Sequence, residues 1–225
     1  MMKRIKHVYT IGQGYADIFK KQYGIEASII RNVPKSIPKS ELQEPRAKSI
    51  IYQGAINVGR GIEEMIDALN FLPDYTFHVY GNGSELDRLK MLSKELNVQH
   101  QVVFHGALLP DDLRKATSQH SIGLTLFSAV GEHHQLSLAN RFFDYIQSGV
   151  PQIAMNYKEY AAINDEFEIG ILIDELNPEN IVNAIQKLET DEELYNRLKA
   201  NCMKARKVLN WENESKKLIE FYKNL

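Results

Sequence analysis

The chain has 225 residues, enough for one large α/β domain or two small ones. Its 27 basic and 29 acidic residues nearly cancel, which argues against nucleic acid as the main partner, because neutralising phosphates takes a concentrated basic surface. The longest apolar runs, such as IGLTLF, fall well short of the roughly 20 residues that cross a bilayer, and no sustained apolar core marks a signal peptide. A lone cysteine, Cys202, excludes an internal disulfide framework and fits a reducing compartment. It lies among helix-forming residues without an activating basic pattern and reads as structural. The expected location is cytoplasmic, with a peripheral position at the inner face of the membrane as the alternative.

In chain order, HVYTI reads as a strand, GYADIFKKQYG as an amphipathic helix closed by Gly24, and EASIIRNVP as a strand ended by Pro34. Residues 35–47 hold two prolines and many charges with no apolar period, so they form a linker. Strand 49–54 then leads to a helix over 61–70, and strand 75–81 to a helix that Ser84 can cap and that runs to about Leu96. QVVFHG is a strand followed by a short helix begun by Pro110 and Asp111. SIGLTLF is a strand followed by a polar loop, a helix and a tight Gly149-Val150-Pro151 turn into strand PQIAM. A helix near 158–166, strand IGILI and a helix over 178–189 complete the alternation. Residues 191–208 read as a helix with one charged face, and 211–225 as a last helix with Trp211, Leu218, Phe221 and Tyr222 as apolar anchors. There is no internal repeat, low-complexity tract or long heptad run.

Strands that alternate with helices, each a nearly continuous apolar run, predict an α/β fold: a Rossmann-like parallel sheet with helices on both faces. Ligands of such sheets bind beyond the carboxyl ends of the strands, where Gly54, Gly81, Gly106 and the loop after Phe127 all fall.

Three stretches of this rim carry chemistry. In YQGAINVGRGIEEMIDAL, Gly54, Gly59 and Gly61 leave backbone amides open and Arg60 precedes a helix, which suits a diphosphate; a flexible turn with a solvated arginine is the plainer alternative. GNGSEL invites a dinucleotide reading but has Leu86 where the third glycine belongs, and the next strand ends in His105-Gly106 rather than a ribose-binding acid. In GEHHQLSLANRFFDYIQSGVPQIAM, helical spacing puts Asn140 and Asp144 on one face and makes Arg141 a neighbour of Asp144, a cation for phosphate beside an acid for a diol. A surface ion pair between Arg141 and Asp144 is the competing account. His133 and His134 read as part of a loop over a ligand; no HExxH, Walker or G-x-S-x-G motif occurs, and no metal or other cofactor is expected.

In order and spacing these motifs resemble the donor-nucleotide domain of the family 4 glycosyltransferases, retaining enzymes of the GT-B fold. IIYQGAINVGRGIEEMIDAL is similar to the family's G-x-x-x-x-x-[KR]-G opening, FHVYGNGSELDRL to its G-x-G-x-x-x-x-L element and VVFHGALLPDDL to F-x-G-x-[VL]-x-x-x-x-L. LANRFFDYIQSGVPQIAM is similar to its [PA]-N-[KR]-x-[FL]-[ED]-Y-x-x-x-G-x-P element. Residues 7–34 resemble the last strand–helix–strand of the acceptor domain and 211–225 the terminal helix that crosses back onto it. The resemblance implies a remnant of the acceptor domain over 1–34, a linker over 35–47, a donor-binding domain over 48–210 and a crossing helix over 211–225.

It also implies roles. Arg60 takes the basic diphosphate position, Asp144 that of the glutamate that holds the ribose, and Gly106 with the backbone after it faces the base. Two departures stand out. The family signature is Glu, seven residues, Glu, but Leu136 and Asp144 stand at the two positions here. Ala55 follows Gly54 where a second basic residue is usual, which leaves Arg141 to supply that charge.

The function expected from the resemblance is transfer of a sugar from a nucleotide-diphosphate carrier to a glycan (as in polysaccharide biosynthesis), a lipid or a small molecule. The acceptor domain is expected elsewhere, in a longer protein or the other product of a split gene, so the chain alone should turn over poorly or not at all. A non-catalytic nucleotide-sugar-binding or assembly partner and a nucleotide-sugar epimerase of the same architecture are the alternatives. Leu218, Phe221 and Tyr222, left uncovered, would favour self-association through the last helix.

Overall fold

The computed structural model describes residues 5, 7–128 and 135–225. Two parallel sheets organise them. β1 (Val8–Thr10) and β2 (Ala27–Ile29) pair with each other across α1 (Gln13–Tyr23), which ends at Gly24 in the left-handed conformation (φ 68°). The main sheet has six strands: β3 (Ser49–Gln53), β4 (Thr76–Tyr80), β5 (Val102–Gly106), β6 (Ile122–Thr125), β7 (Gln152–Met155) and β8 (Gly170–Ile173). Their spatial order is β5-β4-β3-β6-β7-β8, all parallel. The chain steps outward from β3 to β5, then crosses back to lay β6 on the other side of β3. That reversal opens a crevice between the carboxyl ends of β3 and β6.

Helices α2 (Ile62–Ala68), α3 (Leu86–Glu95) and α7 (Pro178–Thr190) pack on one another along one face; α4 (Pro110–Thr117), α5 (Asn140–Ser148) and α8 (Glu192–Ala205) group on the other. α6 (Lys158–Phe167) follows β7. β3 is buried at every position, and its alternation divides the interior. Ile50 and Tyr52 join the main core, whereas Ile51 joins a smaller cluster with Tyr80, Tyr145 and Val150 that Leu113 and Ala116 of α4 cover. Cys202 lies fully inside, its thiol 3.7 Å from the carbonyls of Val150 and Ile169 and pushed up to about 12 by burial, which bears out its structural reading.

α9 (Trp211–Lys223) packs against the small sheet. Trp211 N donates to Pro34 O (2.9 Å), Arg31 N to the buried Glu214 carboxylate (2.9 Å), and the Phe221 ring meets Tyr9 edge-on at 5.3 Å. Phe221 is thus half-covered, while Ile219 and Tyr222 stay exposed. A second tie comes from α6. The buried Glu159 carboxylate accepts from Gln13 N (3.2 Å) and Gly14 N and so satisfies the start of α1. One expectation fails: Ser84 does not cap α3. The helix begins at Leu86 behind Glu85, whose N–H donates to Ile56 O (3.1 Å), so the loop is pinned by its neighbour beyond β3 and not by a side-chain cap.

His78, His105 and His120 gather with Tyr80 on the β4–β5 side. Tyr80 stacks on His105 at 4.2 Å, and His120 is sealed between Ser49 Oγ (2.6 Å from Nδ1) and Tyr80 Oη (3.3 Å from Nε2). A neutral ring, one donor and one acceptor, serves both partners of His120. Burial and mutual repulsion lower His120 to about 3 and His78 to about 4 from the ordinary 6.5. The unfolded chain therefore takes up protons below pH 6.5 that the folded chain refuses, so stability declines from pH 6.5 toward pH 3. We expect urea unfolding to show a loss of about 2–3 kcal/mol between pH 6.5 and 5, shared by His78 and His120, and a flatter acid limb in His120→Gln.

Candidate functional site

The chain turns at the carboxyl ends of β3, β4, β5 and β6 carry most of the residues singled out in the sequence, and Asn140, Arg141 and Asp144 follow on the next helix. Gly54 N donates to Tyr80 O (2.9 Å) and Gly81 N to Gly106 O (2.8 Å), which laces the ends of β3, β4 and β5 together. Gly81 (φ 141°) and Gly54 approach so closely that a Cβ on Gly81 would stand 1.9 Å from Gly54 O. Gly61 (φ 73°) starts α2 against Leu126, leaving no room for a side chain. Gly106 (φ 73°) faces Asn82, whose backbone carbonyl accepts from Ile56 N (3.0 Å). Close approach thus accounts for Gly81 and Gly61, whereas Gly54 and Gly106 meet only ordinary contacts and are accounted for by their positive φ.

Arg60 lies half-buried at the mouth, its guanidinium 5.1 Å from the centre of the Phe127 ring, and its Nε is shielded from solvent without a hydrogen-bond partner among the described residues. A shielded donor at a rim is suited to an anion. Beside it opens a cavity of about 250 Å³ lined by Asn57, Arg60, Glu63, Glu85, Arg88 and Ser128, in which Arg88 bridges Glu63 and Glu85. A larger cavity of about 350 Å³, lined by Lys48, Tyr75, Ile122 and Tyr195, lies at the amino ends of the strands, away from the switch point.

The helix that opens on Asn140 is α5. Asn140 is exposed and its Oδ1 accepts from Asn32 (3.0 Å), a contact between the small sheet's exit and the crevice. Arg141 and Asp144 do not pair with each other, contrary to the account of a surface ion pair. Arg141 turns into the sheet. Its Nε donates to Leu124 O and its Nη2 to Leu126 O, both at 3.1 Å, and it stacks over Tyr52 (4.8 Å) and Phe127 (4.3 Å). Its charge thus lies beneath the Gly54 turn, not in open solvent.

Asp144 points the other way, toward β3 and α4. Gln53 Nε2 donates to its Oδ2 (2.8 Å), and Thr117 Oγ1 lies 2.7 Å from Gln53 Oε1. Burial raises Asp144 to about 6, against the opposing pull of Gln53 and the Arg114 charge. Gln53 was not singled out in the sequence, where it lies near the end of strand 49–54. The available signal was a long polar side chain at the end of an otherwise apolar run. Leu136 packs against the start of α1, where a Cβ on Gly14 would stand 2.6 Å from its Cδ2. His133 and His134 lie outside the described residues. Among the described residues no group of three His, Cys, Asp or Glu side chains is placed to hold a metal, and no helix is long and apolar enough to cross a membrane.

The model of the family described as "Glycosyl transferases group 1" matches residues 34–205. The chain belongs to this family. Solved structures agree on the fold. TarM of S. aureus, in a complex that includes UDP, is 15% identical with a TM-score of 0.75 over 96% of this chain and 43% of its own. HepE of Anabaena in complex with UDP is 14% identical with a TM-score of 0.79, covering 97% of this chain and 63% of that one. Sucrose-phosphate synthase of Thermosynechococcus elongatus is 16% identical with a TM-score of 0.77, over 97% and 58%. The chain thus spans only about half the length of these proteins. No curated protein matches it. The six-stranded parallel sheet flanked by helices is the Rossmann-like half of a GT-B glycosyltransferase, as expected.

Proposed function

We propose that this chain is the donor-binding half of a retaining family 4 glycosyltransferase and holds a nucleotide-diphosphate sugar across the β3–β6 crevice. The observation that carries the reading is Asp144, a half-buried carboxylate at the switch point, with the shielded Arg60 donor on the same rim. In this reading Asp144 accepts two ribose hydroxyls, Arg60 and the amides near Gly54 and Gly61 meet the diphosphate, and the backbone from Gly106 faces the base. Asn140 borders the site, and Arg141 adds charge from below. UDP in the TarM and HepE complexes supports a uridine nucleotide as the first to test. No metal is needed, because the diphosphate charge is met by the protein. Residues 1–34 and 211–225 belong with an acceptor domain, 35–47 form the linker and 48–210 the donor domain. The acceptor is a glycan, a lipid or a small molecule.

The test is calorimetric titration with UDP, GDP, ADP and dTDP. One nucleotide should bind saturably, with or without EDTA, and Asp144→Ala should weaken it by about 100-fold, since each lost hydrogen bond to a charged acceptor is worth about 1.5–3 kcal/mol. Affinity should fall as pH drops through about 6, where Asp144 takes up its proton and no longer accepts from both hydroxyls. A raised carboxyl stabilises the fold only below its unfolded value of 3.8 and loses that contribution as pH rises through 6, so Asp144→Asn should be no less stable than the native chain at pH 7.5. Binding lost in that variant would then not reflect unfolding. No binding of any of the four nucleotides by the folded chain overturns the reading. Leu136, packed against α1 where the family carries a glutamate, favours a second reading as a non-catalytic nucleotide-sugar binder. Binding of UDP-sugars without hydrolysis or transfer, even with an acceptor half supplied, would select it.

A further inference from the structure

The carboxyl end of β3 carries a polar group that the sheet does not need. Every other side chain of this strand is apolar except Ser49 at its start, yet Gln53 is 3% exposed among the packed rings and aliphatic chains beneath α4 and α5. An amide buried there is costly unless both ends are bonded, and both are. Nε2 reaches Asp144 Oδ2 at 2.8 Å, and Oε1 faces the hydroxyl of Thr117 at 2.7 Å. Thr117 is fully buried on α4, and its one hydroxyl proton is shared between Gln53 Oε1 and Leu113 O, which also lies 2.7 Å from Oγ1. The amide orientation follows from charge: reversed, Gln53 would set its carbonyl oxygen against an ionised carboxylate. A chain of three side chains from α4 through β3 to α5 therefore holds one oxygen of Asp144 and leaves the other directed away from Gln53. Among the described residues, Arg114 on α4 bears on the Asp144 charge, and Arg141, one turn back on the same helix, is committed to the carbonyls of Leu124 and Leu126.

We infer that Gln53, braced by Thr117, is a positioning residue that orients the Asp144 carboxylate toward the ribose of the bound nucleotide. The inference rests on the donor-site reading above and adds two residues to it. An aspartate is one methylene shorter than the glutamate usual at this position. A fixed second hydrogen bond compensates by restricting the shorter side chain to one direction. Gln53 also favours the ionised carboxylate, so its removal should move the pH dependence of binding and not only its strength.

The experiment is UDP, GDP, ADP and dTDP titration of the full chain between pH 5.5 and 8.5, for the native protein, Gln53→Met, Thr117→Val and Gln53→Glu. Methionine keeps the volume and removes both bonds. The expected result is an affinity about tenfold lower at pH 8 and a larger loss at pH 6.5, because the midpoint of the pH profile moves upward. Thr117→Val should move the midpoint in the same direction by less, and it carries the test alone if Gln53→Met does not fold. Gln53→Glu places two carboxyls together, so binding should be weakest at pH 8 and recover as one proton is shared at lower pH. A merely structural role for Gln53 would lower stability and leave the midpoint in place. If the native chain binds a nucleotide and the folded variants keep its pH midpoint, positioning is overturned while the donor site stands. If the native chain binds none of the four nucleotides, the donor site and the positioning role fall together.

Discussion

Arg141→Met should destabilise the fold by about 4 kcal/mol, which for a chain of this size lowers the melting temperature by roughly 10 °C. Arg141 is 7% exposed, and its guanidinium has become part of the sheet's end. Past the last ladder pairing of β6, Leu126 O accepts from Nη2, and Leu124 O accepts from Nε. Removing both donors leaves Leu126 O without its side-chain partner and Leu124 O with only the longer contact to the Tyr145 hydroxyl (3.4 Å), each costing about 1–3 kcal/mol, and the contacts with Tyr52 and Phe127 are lost as well. Methionine fills the volume without restoring a donor. Arg141→Lys should recover little, because an ammonium is a single point that cannot span two carbonyls 3.1 Å from separate nitrogens while lying flat on two rings. Urea unfolding of the two variants checks this directly. A lysine variant as stable as the native protein would show that position 141 requires only a positive charge.

The same residue shows what the sequence conveys and what it withholds. Alternating apolar strands and amphipathic helices are a property of local period, and they located every strand of the main sheet and nearly every helix to within a few residues. The rim was legible for a related reason: in a parallel sheet the end of each strand is fixed once the strand is, so Gly54, Gly81 and Gly106 could be placed before any geometry was known. Direction was not legible. Helical spacing makes Arg141 and Asp144 neighbours but does not say that one bonds sheet carbonyls and the other Gln53, because that depends on which strands flank the helix. Gln53 and Thr117 stand 64 positions apart, and nothing local to either marks the pair. Ser84 looked like a cap until the loop was seen to hang from Ile56. Glu159 escaped notice because its partners are backbone amides 145 and 146 residues away.

Gly81→Ala should do more damage at the crevice than any other single methyl. At φ 141° an L-residue is already strained, and the added Cβ would stand 1.9 Å from Gly54 O, a backbone atom that cannot swing aside like a side chain. Relief requires the turns after β3 and β4 to part. They are tied by Gly54 N to Tyr80 O and Gly81 N to Gly106 O, so parting them disturbs three strand ends together. We expect a loss of about 3 kcal/mol in urea unfolding, and nucleotide affinity reduced by more than about tenfold under conditions where the variant is fully folded. Gly24→Ala is the proper comparison. Its φ is also positive, at 68°, but nothing lies within 4 Å of the added methyl, so it should cost only about 1 kcal/mol and leave binding unchanged. Both variants place an L-residue at positive φ, with the larger penalty at 141°, but only the methyl at position 81 meets another backbone segment. A difference in binding between them therefore isolates the approach of Gly54 and Gly81 backbones as a feature of the donor site. Equal binding would show that the crevice tolerates a wider mouth, and would move the demand for glycine at position 81 from ligand recognition to the packing of β3 on β4.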